Sequence, residues 1–118
     1  MLWQVDPTSS TPLHVQVAAC VRREMVARRL GRGDRLPSAK EVAGVLDVNL
    51  HTVLRAYQSL RDEGLIDLRR GRGAVVTAAD PASDARLRSL VADLVAEARL
   101  TGATPTDLTR LIESEFQR

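Results

Sequence analysis

Four consecutive residues combine hydrogen-bonding and apolar side chains in a way that suits reading the edges of bases. Asn49 and His51 offer amide and imidazole groups, and Thr52 offers a hydroxyl group. Leu50 is apolar and has a size that suits contact with a thymine methyl group. Arg55 follows about one helical turn later, where it could reach a phosphate or a guanine. The spacing predicts the exposed first turn of a helix that enters the major groove of DNA.

A second cluster is cationic and rich in glycine. Arg69, Arg70 and Arg72 alternate with Gly71 and Gly73 between two apolar stretches. Glycine permits the positive φ angles of a tight hairpin and lets a backbone approach a ligand closely. An isolated run of charges is usually a solvated loop. Placed on a hairpin after two short helices, the arginines instead indicate contact with a phosphate backbone or a minor groove.

Charge is divided unevenly along the 118 residues. Residues 1–78 carry 12 Lys and Arg against 8 Asp and Glu, whereas residues 79–118 carry 5 against 7. A basic front and a mildly acidic tail are typical of a module that binds a polyanion, followed by a segment with another role. We therefore predict two parts, a DNA-binding domain over 1–78 and a helical segment over 79–118.

Several other classes of protein are disfavoured. No apolar run approaches the roughly 20 residues that a membrane-spanning helix needs, and the N-terminus lacks the pattern of a signal peptide. Cys20 is the only cysteine, so neither an internal disulfide nor a cysteine metal site is expected. His14 and His51 stand in different predicted elements and in no nucleophile, metal or phosphate-loop motif. We expect a soluble, cytoplasmic protein without enzymatic activity, membrane association, metal or cofactor.

The predicted elements that position these residues begin with a helix from Pro12 to about Arg29. Leu13, Val17, Val21 and Met25 recur every four residues, and Gly31 and Gly33 then end the helix. Before it, Leu2 to Val5 has the pattern of a short strand. Trp3 within that segment either packs against the first helix or contributes to a dimer contact.

A helix-turn-helix follows. Ser38 and Glu41 have the spacing of a capping box at the start of a short second helix. Asp47 lies in a tight turn, Asn49 is a favourable N-cap for a third helix, and Gly64 ends that helix. Tyr57 is interpreted as a helix-packing residue rather than a residue that stacks on bases. Two short strands, 65–69 and 74–77, complete the pattern.

The tail predicts two amphipathic helices, one from Pro81 and one from the Thr104, Pro105 and Asp107 start signal. Their apolar stripes either cover the first domain or pair with a second copy of the chain, and we favour pairing. The predicted dimerisation residues are Leu87, Leu90, Val91, Leu94, Val95, Leu108, Leu111, Ile112 and Phe116. The predicted fold is mainly α with a small β-hairpin, a winged helix-turn-helix followed by a C-terminal two-helix dimerisation segment.

The order of these motifs closely resembles the DNA-binding domain of the GntR family, and the short tail resembles its YtrA-type branch. The resemblance is strong over residues 2–77. It is carried by Gly33-Asp34-Arg35-Leu36-Pro37-Ser38, Glu41-Val42-Ala43, Thr52-Val53-Leu54-Arg55-Ala56-Tyr57, Glu63-Gly64-Leu65-Ile66 and Arg70-Gly71-Arg72-Gly73. The chain departs from the family pattern at Asp47, which replaces the usual glycine of the turn, and at Leu50-His51.

The resemblance implies a homodimer that regulates or represses transcription from a near-palindromic operator in double-stranded DNA. It implies that Lys40 contacts phosphate, that the start of the third helix reads bases, and that the hairpin tip enters the minor groove. The predicted DNA-binding residues are Arg35, Ser38, Lys40, Asn49, His51, Thr52, Arg55, Arg70, Gly71 and Arg72. A small-molecule effector could bind between the tail and the winged helix. The alternative function is a winged helix that binds proteins and has no DNA affinity.

Overall fold

The computed structural model describes residues 3–69 and 73–118. In these residues the chain forms five α-helices and a two-stranded antiparallel sheet, which confirms the predicted fold class. The helices are α1 (Leu13–Val26), α2 (Ala39–Leu46), α3 (Leu50–Asp62), α4 (Pro81–Thr101) and α5 (Pro105–Phe116), and the strands are β1 (Ile66–Arg69) and β2 (Gly73–Val76). The chain divides into two compact units, Met1–Leu87 and Arg88–Arg118.

The first helix ends earlier than its sequence pattern predicts. It stops at Val26, because Arg28 adopts a left-handed conformation with φ of 63° and turns the chain away from the helix axis. The backbone N–H groups of Arg29 and Leu30 both donate hydrogen bonds to the carbonyl oxygen of Glu24, at 2.9 and 3.2 Å. Two predicted last-turn cations, Arg28 and Arg29, therefore lie beyond the helix.

The helix-turn-helix forms as predicted, with one half of the predicted capping box. Ser38 Oγ accepts the N–H of Glu41 at 3.1 Å, but the Glu41 side chain does not return to the Ser38 backbone. Asp47 ends α2 in the left-handed region, with φ of 54° and ψ of 49°. This conformation favours glycine and is tolerated by aspartate, so the departure at Asp47 keeps the geometry of the turn.

The hairpin has a third, partial strand that the sequence pattern did not predict. The residues before α2 pair with β2: Leu36 N–H donates to Ala74 O at 2.9 Å, and Val76 N–H donates to Asp34 O at 2.8 Å. Strand β1 begins one residue later than predicted and ends at the predicted residue, whereas β2 lies one residue earlier than predicted. No strand forms over residues 3–5, contrary to the strand expected near the N-terminus. The partial strand fixes Arg35 beside the hairpin.

The core of the first unit collects apolar side chains from α1, α2, α3 and the hairpin. Val21, Met25, Val42, Val53 and Leu60 are all fully buried. This packing decides between the two roles considered for Trp3. Its ring lies in the same core, 7% exposed, and its indole N–H donates to the Glu24 carboxylate of α1 at 3.2 Å.

An ion pair also joins the first and third helices. The Arg22 guanidinium forms a bidentate hydrogen-bonded ion pair with the carboxylate of Glu63, the C-cap residue of α3. Both side chains are mostly buried, 12% and 15% exposed. A paired arrangement of this kind is directional, so it holds the C-terminal end of α3 against α1 while the N-terminal end stays exposed.

The second unit is built around a well-capped helix start and a sharp break. Thr104 and Asp107 form both hydrogen bonds of a capping box, at 2.9 and 3.1 Å, which confirms the predicted beginning of α5. Gly102, with φ of 78°, separates α4 from α5. Of its described residues this unit buries Ala98, while most of its large apolar side chains are exposed.

The α5 cap predicts an acid-sensitive helix end. Hydrogen bonds from the backbone N–H and then the hydroxyl group of Thr104 lower the pKa of the Asp107 carboxyl. A pKa that is lower in the folded state stabilises α5 above the unfolded value of about 3.9, and this contribution is lost as the pH falls through the folded pKa. We expect the amide protons of the first turn of α5 to exchange faster with solvent near pH 3 than the intrinsic pH dependence of exchange accounts for.

The matched control is Asp107→Asn, whose side-chain oxygen can still accept the Thr104 N–H but does not titrate in this range. Amide exchange followed by NMR between pH 2.5 and 6 would show an acid-dependent opening of this turn in the parent chain and none in the variant. An equal pH response in both chains would contradict the assignment.

Candidate nucleic-acid interface

The predicted reading turn lies at the exposed start of α3. Asn49 Oδ1 accepts the backbone N–H of His51 at 2.8 Å and so caps the helix. Asn49, Leu50 and His51 are exposed, and Thr52 is half-buried. The carboxamide oxygen of Asn49 is therefore committed to the cap, whereas its amide group keeps two donors for another partner.

The outward face of α3 continues from this turn. His51 and Arg55 are four residues apart, so they share one face of the helix, and both are exposed. The opposite face carries Val53, Ala56 and Leu60, all fully buried in the core. The same burial that anchors α3 thus turns its polar face outward.

A buried hydrogen bond fixes α3 relative to the start of α2. The Tyr57 hydroxyl, on a ring that is 3% exposed, donates to the carbonyl oxygen of Pro37 at 2.6 Å. Burial raises the pKa of this hydroxyl, and the nearby Glu41 carboxylate raises it further, so it remains a donor. Tyr57 is a helix-packing residue, as the sequence predicts, and it positions the two helices of the motif.

The start of α2 adds a cation and a hydroxyl group to the same domain. Lys40 and Ser38 are both exposed, and Ser38 already uses its side-chain oxygen as the helix cap. In the described part of the chain, no acidic group forms an ion pair with Lys40, Arg35 or Arg55. These three cations remain available for an anionic partner.

The domain with this geometry matches one family of regulators. The family model for bacterial regulatory proteins of the gntR family matches residues 13–76, which covers α1, the helix-turn-helix and the hairpin. This chain belongs to the GntR family. It has the winged helix-turn-helix DNA-binding fold of that family.

Two relatives show how far the likeness extends. This GntR chain is 38% identical over 74 residues to the HTH-type transcriptional repressor YtrA of Bacillus subtilis, a match that covers 63% of the chain and 57% of that protein. It is 32% identical over 109 residues to the HTH-type transcriptional regulator Rv1152 of Mycobacterium tuberculosis, covering 92% of the chain and 89% of that protein. The predicted YtrA-type resemblance is confirmed.

A solved structure supports the same conclusion. YtrA from Sulfolobus acidocaldarius, a GntR-family transcription factor, superposes with a TM-score of 0.63 at 33% identity. The match covers 81% of this GntR chain and 99% of that protein. The relatives are named as transcriptional regulators and not as enzymes.

A groove of about 690 Å³ lies between the segment before α2, helix α3 and the hairpin of this GntR domain. Arg35 and Arg69 line it together with the apolar side chains of Leu54 and Leu68. Arg69 Nε lies 3.6 Å from the carboxylate of Asp67, so its charge is partly balanced. The sequence pattern did not predict this groove. The partial strand before Pro37 brings Arg35 to it, and the extended backbone expected before a proline was the available signal.

The predicted wing tip is not among these residues. Arg70, Gly71 and Arg72 lie outside the described residues, so their assignment as a DNA contact stays a prediction. The described ends of the strands, Arg69 and Gly73, are paired with each other in the hairpin register.

The two histidines of this GntR chain lie on different helices, as the sequence predicts. His14 is on α1, and burial followed by the positive charge of Arg55 lowers the pKa of its imidazole. His51 is on α3 at the reading turn. Within residues 3–69 and 73–118, no three His, Cys, Asp or Glu side chains are grouped to hold a metal ion. In the same residues no helix is both long and apolar enough to span a bilayer.

Proposed function

We propose that this GntR regulator is a cytoplasmic repressor that binds a near-palindromic operator as a homodimer. The observation that carries the proposal is the exposed face of α3, where His51 and Arg55 follow an N-cap that fixes the first turn. In helix-turn-helix proteins the start of the second helix contacts base edges in the major groove. His51 and Thr52 are proposed as base contacts, with Asn49 contributing through its free amide group.

Phosphate contacts orient such a helix on the duplex. The cations Lys40, Arg35 and Arg55 are exposed and have no acidic partner among the described residues. A surface that bound only another protein would have no need of several unpaired cations around a helix start. We assign Lys40 and Arg35 to phosphates, with Ser38 beside them, and Arg55 to a phosphate or a guanine.

A dimer completes the recognition, because two half-sites one helical turn apart need two linked readers. The predicted dimerisation face is exposed along the second unit. On α4, the side chains of Leu87, Leu90 and Val91 are 64%, 55% and 50% exposed. On α5, the side chains of Leu111 and Phe116 are 61% and 88% exposed. Side chains of this size are usually buried, so we assign this face to a second copy.

The salt dependence of DNA binding tests the function. Full-length chain should bind a selected operator duplex with an affinity that falls steeply with salt, because each phosphate contact releases condensed counterions. The double variant Lys40→Gln and Arg55→Gln removes two of these cations from each chain. We expect it to reduce the slope of the log–log salt plot by about one for each cation removed, or about four for a dimer.

The control removes two cations from the C-terminal segment, by Arg110→Gln and Arg118→Gln, and has the same change in net charge. It should keep the steep salt dependence. Equal effects of the two double variants would show that net charge, rather than the surface around α3, drives binding. If no duplex bound at all, the winged helix would instead be assigned to protein–protein interaction.

A further inference from the structure

We infer that Leu50 is a specificity-determining residue that contacts the methyl group of a thymine in the operator. The inference rests on the proposed DNA-binding function and names one base that the reading turn selects. Leu50 is the first residue of α3, and its side chain is 42% exposed at the helix start.

The cap constrains the backbone on both sides of Leu50. Asn49 Oδ1 holds the His51 N–H at 2.8 Å, so the peptide on each side of Leu50 is held by the capping geometry. Neither neighbour can shift without breaking this bond. Asn49 therefore acts as a positioning residue, and the contact surface of the first turn is left to Leu50 and His51.

A second leucine extends the apolar surface along the helix. Leu54 lies four residues after Leu50, which places the two side chains on the same side of α3, and it is 39% exposed. This apolar ridge runs beside the row formed by His51 and Arg55. A base edge that lay across both rows would meet hydrogen-bonding groups on one side and methyl or methylene groups on the other.

The positive charges in the same domain as Leu50 indicate that its partner is DNA rather than a protein. The exposed cations Lys40, Arg35 and Arg55 belong to the same domain and have no acidic ion-pair partner among the described residues. An apolar protein partner would have to desolvate these charges, whereas the phosphates of a duplex pair with them. In the major groove the thymine methyl is the apolar group that a base pair presents. Leu50 is thus matched to thymine.

Replacement of thymine by uracil tests the inference, because it removes the methyl group and leaves base pairing unchanged. An operator is first selected by the full-length chain from a random duplex pool, and each thymine is then replaced by uracil in turn. For the parent protein, replacing the contacted thymine in one half-site should lower the affinity about fourfold, as expected for one buried methyl group. Replacing the equivalent thymine in both half-sites should lower it about 15-fold. Leu50→Ala should show no such loss at that position.

The outcomes separate this inference from the function on which it rests. If the chain selects an operator but no uracil substitution weakens binding, the thymine contact is overturned and DNA binding stands. If the Leu50→Ala protein keeps the same uracil penalty, another side chain reads the methyl group and the inference is again overturned. Selection of no duplex overturns the proposed function itself. Circular dichroism of Leu50→Ala confirms that its helix content matches the parent.

Discussion

Leu90→Glu is expected to convert the proposed dimer into a monomer and to lower its affinity for the proposed operator by about 100-fold or more. Leu90 lies on the exposed apolar stripe of α4 and is 55% exposed. In a dimer through this face, the introduced carboxylate would lose its water without gaining a partner. Two linked DNA-binding domains gain avidity because the second domain meets its half-site at a high effective concentration, and a monomer loses that gain.

Ala96→Glu is the matched control, because it adds the same charge at an exposed position on the opposite side of α4. Sedimentation velocity measures the oligomeric state of both variants, and titration of a labelled operator measures their affinities. The control should remain a dimer with parent affinity. A dimeric Leu90→Glu protein would move the interface away from this stripe.

Leu60→Ala is expected to lower the free energy of unfolding of the winged-helix unit by about 2–5 kcal/mol. Leu60 is fully buried in the core and lies in the last turns of α3. Its backbone carbonyl also accepts the Leu65 N–H at 3.1 Å, where the chain leaves α3 for the hairpin. The truncated side chain would leave a cavity at this junction, since close-packed interiors relax only partially.

Leu54→Ala makes the same chemical change on the same helix, at a side chain that is 39% exposed. It should change the free energy of unfolding by less than about 1 kcal/mol. Urea denaturation followed by circular dichroism compares the two variants at one protein concentration, because dimerisation would otherwise change the apparent stability. Similar losses of stability in the two variants would contradict the assignment of the core to the inner face of α3.

Local rules account for much of what the sequence predicts correctly. The caps at Ser38, Asn49 and Thr104 are formed by atoms within three residues of one another, so their types and spacing are sufficient to predict them. The glycine after α3 likewise adopts a positive φ, of 80° at Gly64. Helix starts and stops of this kind are encoded close to where they occur.

Unusual backbone conformations and pairing between distant parts of the chain were not predicted. The early end of α1 depends on a left-handed arginine, Arg28, a conformation that no residue type there announces. Pairing of the segment before α2 with β2 joins residues about 40 positions apart. For Trp3 the sequence left open packing against the first helix or a dimer contact, and its place in the core and its bond to Glu24 decide for packing.

Some features of the helix-turn-helix are therefore set by local sequence and others by tertiary packing. By itself the sequence determined the order of elements, the capped start of α3 and the residues of its first turn, because helix caps and hydrophobic periodicity are local. Only the tertiary structure decided that the Tyr57 hydroxyl holds α3 against Pro37 and that Leu54 stays partly exposed. The physical reason is that exposure and partner choice depend on how the buried face of α3 packs against α1 and α2.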